Sequence, residues 1–186
     1  MTTSTNGSKA PTISFTAEAE VVGETTLLRL PQEASAQLPS RGQVAVQAAV
    51  DGHQVATVLE PDGRRGHWIR VDDALAQVAE VTPGDTVQVA VEIAEGWPEP
   101  EVPPDLSAAL DEAPEKIQHI WADITPMARW EWVRWVGATK NADTRQRRVQ
   151  VSIDKLDHGK RRPCCFDLSS CTDPDVSKSG KLVEPS

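Results

Sequence analysis

The sequence contains no tyrosine and only two phenylalanines among its 186 residues, so tryptophan, with six copies, supplies most of its aromatic side chains. No stretch approaches the roughly 20 consecutive apolar residues that an α-helix needs to cross a bilayer. The polar residues 1–10 also lack the apolar core of a secretory signal peptide. We therefore expect a protein of the cytoplasm with no membrane span.

Motifs of the common enzyme classes are absent as well. The sequence has no nucleophile elbow, no Gly-rich phosphate loop and no His-Glu-x-x-His zinc motif. His53 and His67 fall in predicted strands or turns, and Asp72 and Asp73 precede a predicted helix that they can cap. The sequence therefore favours a binding protein over an enzyme, and it identifies no cofactor.

Cysteine is scarce and confined to one region. The three residues Cys164, Cys165 and Cys171 differ from the dispersed, even-numbered set of a secreted disulfide scaffold, so we expect reduced thiols. With His158 they form a candidate metal site, although structural zinc ligands usually come in pairs two to four residues apart. The basic residues 160–162 would lower the pKa of a nearby thiol. Inert thiols, a metal site and a thiol-dependent activity all remain open.

The first half of the chain shows the alternation of apolar and polar residues that indicates half-buried strands. Asp51 and Gly52 form the strongest hairpin signal, because both residues tolerate positive φ. Short strands joined by hairpins predict a small closed or nearly closed β-barrel. The six predicted strands cover residues 13–21, 25–30, 44–50, 53–59, 66–71 and 87–93.

A Pro-rich stretch separates these strands from a helical second half. Four prolines within residues 95–104 exclude a helix or a central strand there. Four helices are expected after it, with Asp105 and Asp143 as N-caps and Gly159 as a stop signal. The predicted fold class is α+β, a small six-stranded, mostly antiparallel β-barrel followed by a C-terminal helical segment. The predicted divisions are a disordered tail (1–11), a barrel (12–95), a Pro-rich linker (96–104), a helical segment (105–162) and an irregular cysteine-containing tail (163–186).

Charge is distributed unevenly along the chain. The net charge of −9 argues against a nucleic-acid footprint over the whole molecule. Residues 1–125 hold 20 acidic and 7 basic residues, for a net charge of −13, whereas residues 126–186 hold 8 and 12, for a net charge of +4. The basic end can attract an anionic partner or dock on the acidic barrel of its own chain. A phosphate-binding patch is one possibility, formed by Arg147, Arg148, Lys155, Lys160, Arg161 and Arg162.

Two predicted helices carry candidate binding residues. Trp130 lies almost opposite an apolar stripe that predicts core packing, so its ring is a candidate stacking platform beside Arg134. Arg145 shares an apolar helix face, where a guanidinium needs a paired acceptor. A structural ion pair and a ligand contact both satisfy that need. The apolar stripe consists of Ala128, Trp132, Trp135 and Val136.

The helical half also carries a recognisable set of residues. They are Trp121, Pro126, Arg129, Glu131, Trp135, Ala138, Lys140, Thr144, Arg145, Arg147, Arg148, Leu156, Gly159 and Lys160. This set resembles the C-terminal motif of the YdeI/OmpD-associated, or bacteriocin-protection, family. The barrel half is similar to the domain of unknown function 1905 through Phe15, Ala17, Pro31, Gly52, Pro61, Gly63, His67, Gly84, Asp85, Val102 and Pro103.

The resemblance implies a small barrel with a helical bundle in a bacterial cytoplasm, without an accepted enzymatic activity. Our first hypothesis is a non-enzymatic binding or stress-protection protein whose unknown small ligand or protein partner binds between the barrel and the helices. The residues proposed for that surface are Trp121, Trp130, Arg145 and Arg148. Nucleic-acid binding through the basic C-terminal helix is the second hypothesis, and a thiol- or metal-dependent activity at the cysteines is the third.

Overall fold

The computed structural model describes residues 10–163 and 172–185. Most of the tail predicted over 1–11 lies outside the described residues. The next part of the chain forms a closed barrel, which confirms the predicted fold class. Its six strands are β1 (Ile13–Val22), β2 (Thr25–Arg29), β3 (Val44–Val50), β4 (His53–Pro61), β5 (His67–Val71) and β6 (Thr86–Ile93).

The barrel closes in the strand order β1-β2-β5-β4-β3-β6. The strand pairs whose register is defined are all antiparallel. Val46 lies opposite both Thr57 of β4 and Ile93 of β6, so β3 is paired along both of its edges. The closed order leaves no strand as a free sheet edge, which removes a common cause of aggregation.

The β3–β4 hairpin turns where the sequence predicted. Asp51 and Gly52 have φ values of +46° and +84°, as a two-residue hairpin of this kind requires. The Asp51 carboxylate also accepts a hydrogen bond of 2.7 Å from the backbone N–H of Gln88. The turn is therefore tied to β6 as well as to its own strands.

The barrel interior is filled by small and branched apolar side chains. Alternate residues of β1, from Ile13 to Ala19, point inward, and β3 contributes Val46, Ala48 and Val50. Two short helices, α1 (Gln32–Ala36) and α2 (Asp73–Val78), accompany the barrel. Leu75 of α2 packs into the same core, and Asp72 caps this helix as predicted.

The second half forms the four expected helices. They are α3 (Pro104–Glu112), α4 (Glu115–Asp123), α5 (Pro126–Gly137) and α6 (Ala142–Asp157). Trp132 and Val136 are fully buried at their core, together with Leu106 and Leu156. The apolar stripe predicted on α5 is therefore the packing face, as the sequence indicated.

The two predicted N-caps of these helices are wrong. Helix α3 is preceded by Pro103, which leaves Asp105 within the first turn, where it pairs with Arg145. The N-cap of helix α6 lies two residues earlier than expected, because the Asn141 side chain accepts the Thr144 N–H at 2.9 Å. Asp143 instead lies in the first turn, where a negative charge is favourable for the helix dipole.

The described residues divide into two compact units. One comprises 10–20, 26–61 and 65–96, and the other comprises 21–25, 62–64, 97–163 and 172–185. None of the helices in these ranges combines the length and apolar character needed to span a membrane.

A small hairpin occurs near the C-terminus, within the segment 163–186 that was expected to be irregular. Its strands, β7 (Ser177–Lys178) and β8 (Lys181–Leu182), are too short to give a detectable sequence pattern. The Leu182 N–H donates to Asp62 O at 2.9 Å in the same compact unit. A Cβ atom at Gly63 would overlap the carbonyl group of Gly180, so the backbones approach too closely there for any residue but glycine.

Candidate functional site

A groove with a volume of about 490 Å³ lies between α3 and α6 of the helical unit. One wall is a face of α3 and the other is a face of α6. Alanines on both helices leave space between the walls, and Val149 forms part of the floor. The lining residues are Asp105, Ala108, Ala109, Glu112, Ala142, Arg145, Gln146, Val149 and Gln150.

An ion pair between the two helices closes one end of the groove. Arg145 Nε lies 2.6 Å from Asp105 Oδ2, and Arg145 Nη2 lies 3.0 Å from Asp105 Oδ1. The hydrogen bond from Arg145 lowers the pKa of Asp105, and the same bond raises the pKa of Arg145. Both groups are therefore charged at neutral pH. The pair fixes α3 against α6 and holds a guanidinium in the groove.

The other end of the groove carries a carboxylate. Glu112 is exposed, and its side chain forms no hydrogen bond or ion pair with any other residue in the described ranges. Gln146 and Gln150 are spaced one turn apart on α6, and their exposed amides can both donate and accept hydrogen bonds. The groove thus offers a cation, a free carboxylate and two amides above an apolar floor.

The two candidate tryptophans lie elsewhere in the helical unit. Trp121 of α4 is half-buried against the helical core. Trp130 of α5 donates from Nε1 to Pro98 O at 2.6 Å, and its ring meets Trp97 edge-on with the centroids 6.5 Å apart. Neither tryptophan lines the α3–α6 groove. Trp130 instead attaches the Pro-rich segment to α5.

Arg148 packs on α5 and is likewise absent from the groove lining. Its Nη1 donates to Trp135 O at 2.6 Å, and its guanidinium carbon lies 5.3 Å from the centroid of the Trp135 ring. Lys155 Nζ lies at the same distance from that centroid. Burial lowers the pKa of Arg148. Of the four predicted binding residues, only Arg145 lines the groove.

The chain matches two family models. Residues 99–159, which contain all four helices, match the model described as Bacteriocin-protection, YdeI or OmpD-Associated. The helical part of the chain is thus similar to the YdeI/OmpD-associated family. Residues 15–91, which contain most of the barrel, match the Domain of unknown function (DUF1905), as the sequence indicated. No curated protein matches the chain significantly.

Several cations of the helical unit are held in ion pairs. These contacts neutralise part of the patch that the sequence suggested for phosphate binding. Arg147 and Lys160 are exposed and form no ion pair within residues 10–163 and 172–185. The paired cations include Arg161 with Asp123 at 2.6 Å, Arg162 with Glu131 at 3.0 Å and Lys140 with Asp175 at 3.0 Å.

The predicted metal ligands fall mostly outside the described residues, because Cys164, Cys165 and Cys171 all lie there. His158 is exposed at the end of α6, and its Nδ1 lies 2.7 Å from Asp154 O. Within the part of the chain that the structure covers, no three His, Cys, Asp or Glu side chains are grouped to hold a metal ion. The cysteine site remains a prediction from the sequence.

Sequence reasoning missed the structural role of Arg129, although this residue is part of the YdeI/OmpD-associated motif. Its Nη1 donates to the carbonyl oxygens of Trp121 at 2.9 Å and Ile124 at 2.6 Å, where α4 ends. Its Nε and Nη2 contact the Glu99 carboxylate at 2.9 and 2.6 Å. One guanidinium thus joins the end of α4, the start of α5 and the Pro-rich segment. The sequence feature that could have revealed this role is a basic residue a few positions after the end of a predicted helix, where its side chain can bond the last carbonyl groups of that helix.

Replacing Asp105 with asparagine is expected to weaken the dependence of stability on acid pH. The Asp105 pKa lies below its ordinary value of 3.8 in the folded protein, so the folded state binds fewer protons at this carboxyl than the unfolded state. Its stabilising contribution is therefore present above about pH 4 and is lost as the pH falls through the folded pKa. Urea unfolding at a series of pH values measures the difference.

The matched control for Asp105→Asn is Asp111→Asn, which removes the same charge from an exposed position on α3. The stability of Asp105→Asn should approach that of the native chain in acid and fall below it at neutral pH. If the stabilities of Asp105→Asn and the native chain differ by the same amount at every pH, the lowered pKa of Asp105 is contradicted.

Proposed function

We propose that this protein is a non-enzymatic binding protein that takes a small ligand in the α3–α6 groove. The observation that carries the proposal is the groove itself. Its volume of about 490 Å³ lies within the range of roughly 300–1,000 Å³ that is typical of ligand sites. The description of the family supports a protective role, and we propose that binding serves such a role in the bacterial cytoplasm under stress.

The chemistry of the lining supports binding rather than catalysis. The groove holds an apolar floor with a few polar groups at its rim, which is the usual composition of a binding cleft. Its lining contains no histidine, cysteine, serine or threonine, so it lacks the side chains of a Ser–His or Cys–His nucleophilic site. The acidic and basic groups at one end are already engaged with each other.

Native mass spectrometry of the full chain purified from its native cells tests this proposal. We expect a non-covalent adduct on the native protein, which Ala108→Phe removes because the larger side chain fills the groove. The matched control is Ala122→Phe on an exposed position of α4, which should keep the adduct. A bare chain, or an adduct that survives Ala108→Phe, would contradict the groove as the binding site.

The other two hypotheses have different signatures in the same experiment. An adduct lost only when Cys164, Cys165 and Cys171 are all replaced by alanine would favour the thiol or metal hypothesis. Nucleic-acid binding requires an affinity that falls steeply with salt, because bound phosphates release counterions. The ion pairs of Arg161 and Arg162 reduce the positive charge that remains available for such contacts.

A further inference from the structure

The two walls of the α3–α6 groove differ in charge. The α3 wall contributes two carboxylates, those of Asp105 and Glu112, whereas the α6 wall contributes the guanidinium of Arg145. Asp105 and Arg145 are paired at one end, and Glu112 is free at the other. A ligand that matches this arrangement has a positive group at one end and a negative group at the other. Charge complementarity therefore points to an elongated zwitterion.

The length of that ligand follows from helix geometry. Glu112 follows Asp105 by seven residues, which is almost two full turns, so both side chains lie on the same face of α3. At 1.5 Å per residue, the two positions are about 10 Å apart along the helix. An extended peptide spans about 3.3–3.6 Å per residue, so about three residues bridge this distance.

The middle of the groove suits a peptide backbone. Gln146 and Gln150 place two amides along one wall, and a side-chain amide can pair with both the N–H and the C=O of a peptide unit. Ala108 and Ala109 lie on the facing wall and leave room for small side chains. Val149 supplies apolar contact from the floor.

Arg145 retains the capacity to bind a carboxylate even though it is paired. A guanidinium has five N–H donors, and Asp105 uses only those on Nε and Nη2. The donors on Nη1 and the second N–H of Nη2 remain on the opposite edge, which has the forked geometry that a carboxylate prefers. Asp105 holds the guanidinium in place, so little side-chain entropy is lost on binding.

We propose that the groove binds a short peptide with free termini, about three residues long, whose ammonium group meets Glu112 and whose carboxylate meets Arg145. This inference rests on the proposed function, because it names the class of ligand for the same groove. It assigns Glu112 the recognition of one end and Arg145 the recognition of the other.

Trialanine is the probe that tests the inference. We expect a titration of the ¹⁵N-labelled full chain to shift amide resonances of α3 and α6 and to reach saturation. N-acetylated trialanine, which lacks the ammonium charge, should bind about fivefold more weakly, the effect of one exposed charge pair. Glu112→Gln should weaken trialanine to the same extent and leave the N-acetylated peptide unchanged. Asp111→Asn is the matched control and should leave both affinities unchanged.

The outcomes separate this inference from the proposed function. Equal affinities of native protein and Glu112→Gln for trialanine, or equal binding of the free and N-acetylated peptides, would overturn the assignment of Glu112. If trialanine causes no shifts while Ala108→Phe still removes a cellular adduct, the groove binds another class of ligand and only the peptide inference fails. If neither peptide nor adduct binds there, both fail.

Discussion

Replacing Arg129 with alanine is expected to lower the free energy of unfolding of the helical unit by about 3 kcal/mol, the size of a strong charge-assisted hydrogen-bond loss. The Arg129 side chain is only 13% exposed, and it satisfies carbonyl groups at the end of α4 that have no partner within the helix. Removing the guanidinium would leave those carbonyls without their donor and would detach Glu99. Urea unfolding followed by circular dichroism at 222 nm measures the change.

Two variants control for charge alone. Glu99→Gln removes the partner carboxylate, which is 64% exposed, and should cost less than about 1 kcal/mol. Arg129→Lys keeps the charge but loses the planar fork that reaches the carbonyls and the carboxylate together, so it should fall between the other two. If Arg129→Ala lowers the free energy of unfolding no more than Glu99→Gln does, the contacts of Arg129 with the carbonyl groups contribute little to stability.

The second large effect is expected at Trp132. Its replacement by alanine should lower the free energy of unfolding by about 3–5 kcal/mol. Trp132 is fully buried among the helices, and its ring meets Trp135 edge-on with the centroids 6.3 Å apart. Its Nε1 also donates to Arg161 O at 3.1 Å. Alanine would remove both the packing and the hydrogen bond, and the cavity could refill only in part.

Trp132→Phe separates these contributions, because it keeps an aromatic ring but removes the N–H donor. Its cost should therefore be clearly below that of the alanine variant. Trp130→Ala provides the comparison at a half-buried position on the same helix. Equal costs for Trp130→Ala and Trp132→Ala in urea unfolding would show that Trp132 is not the central packing residue of this unit.

The barrel was predictable because its signals are local. Strand alternation and the turn at Asp51 and Gly52 depend on residues a few positions apart, and the structure follows them closely. Residues 149–153 also alternate like a strand, yet they form part of helix α6. The buried residues of α6, Val149, Ser152 and Leu156, follow the spacing of a helix and not the alternation of a strand.

The groove could not be predicted, because it depends on which helices become neighbours. Asp105 and Arg145 are 40 residues apart, and nothing in the sequence links them. The sequence predicts Asp105 as a helix cap, and it predicts only that Arg145 needs an acceptor, not which residue supplies it. Glu112 and the two glutamines carry no motif, so only the pairing of α3 with α6 reveals that they share a cleft.

The hairpin near the C-terminus has a consequence for synthesis on the ribosome. Arg64 donates to Leu182 O across a separation of 118 residues, so this contact cannot form until both residues have been translated. At 5–20 residues per second, the earlier residue waits roughly 6 to 24 seconds for its partner. Residues 62–64 therefore lack this contact until Leu182 has been translated, and the second unit can be completed only after that point.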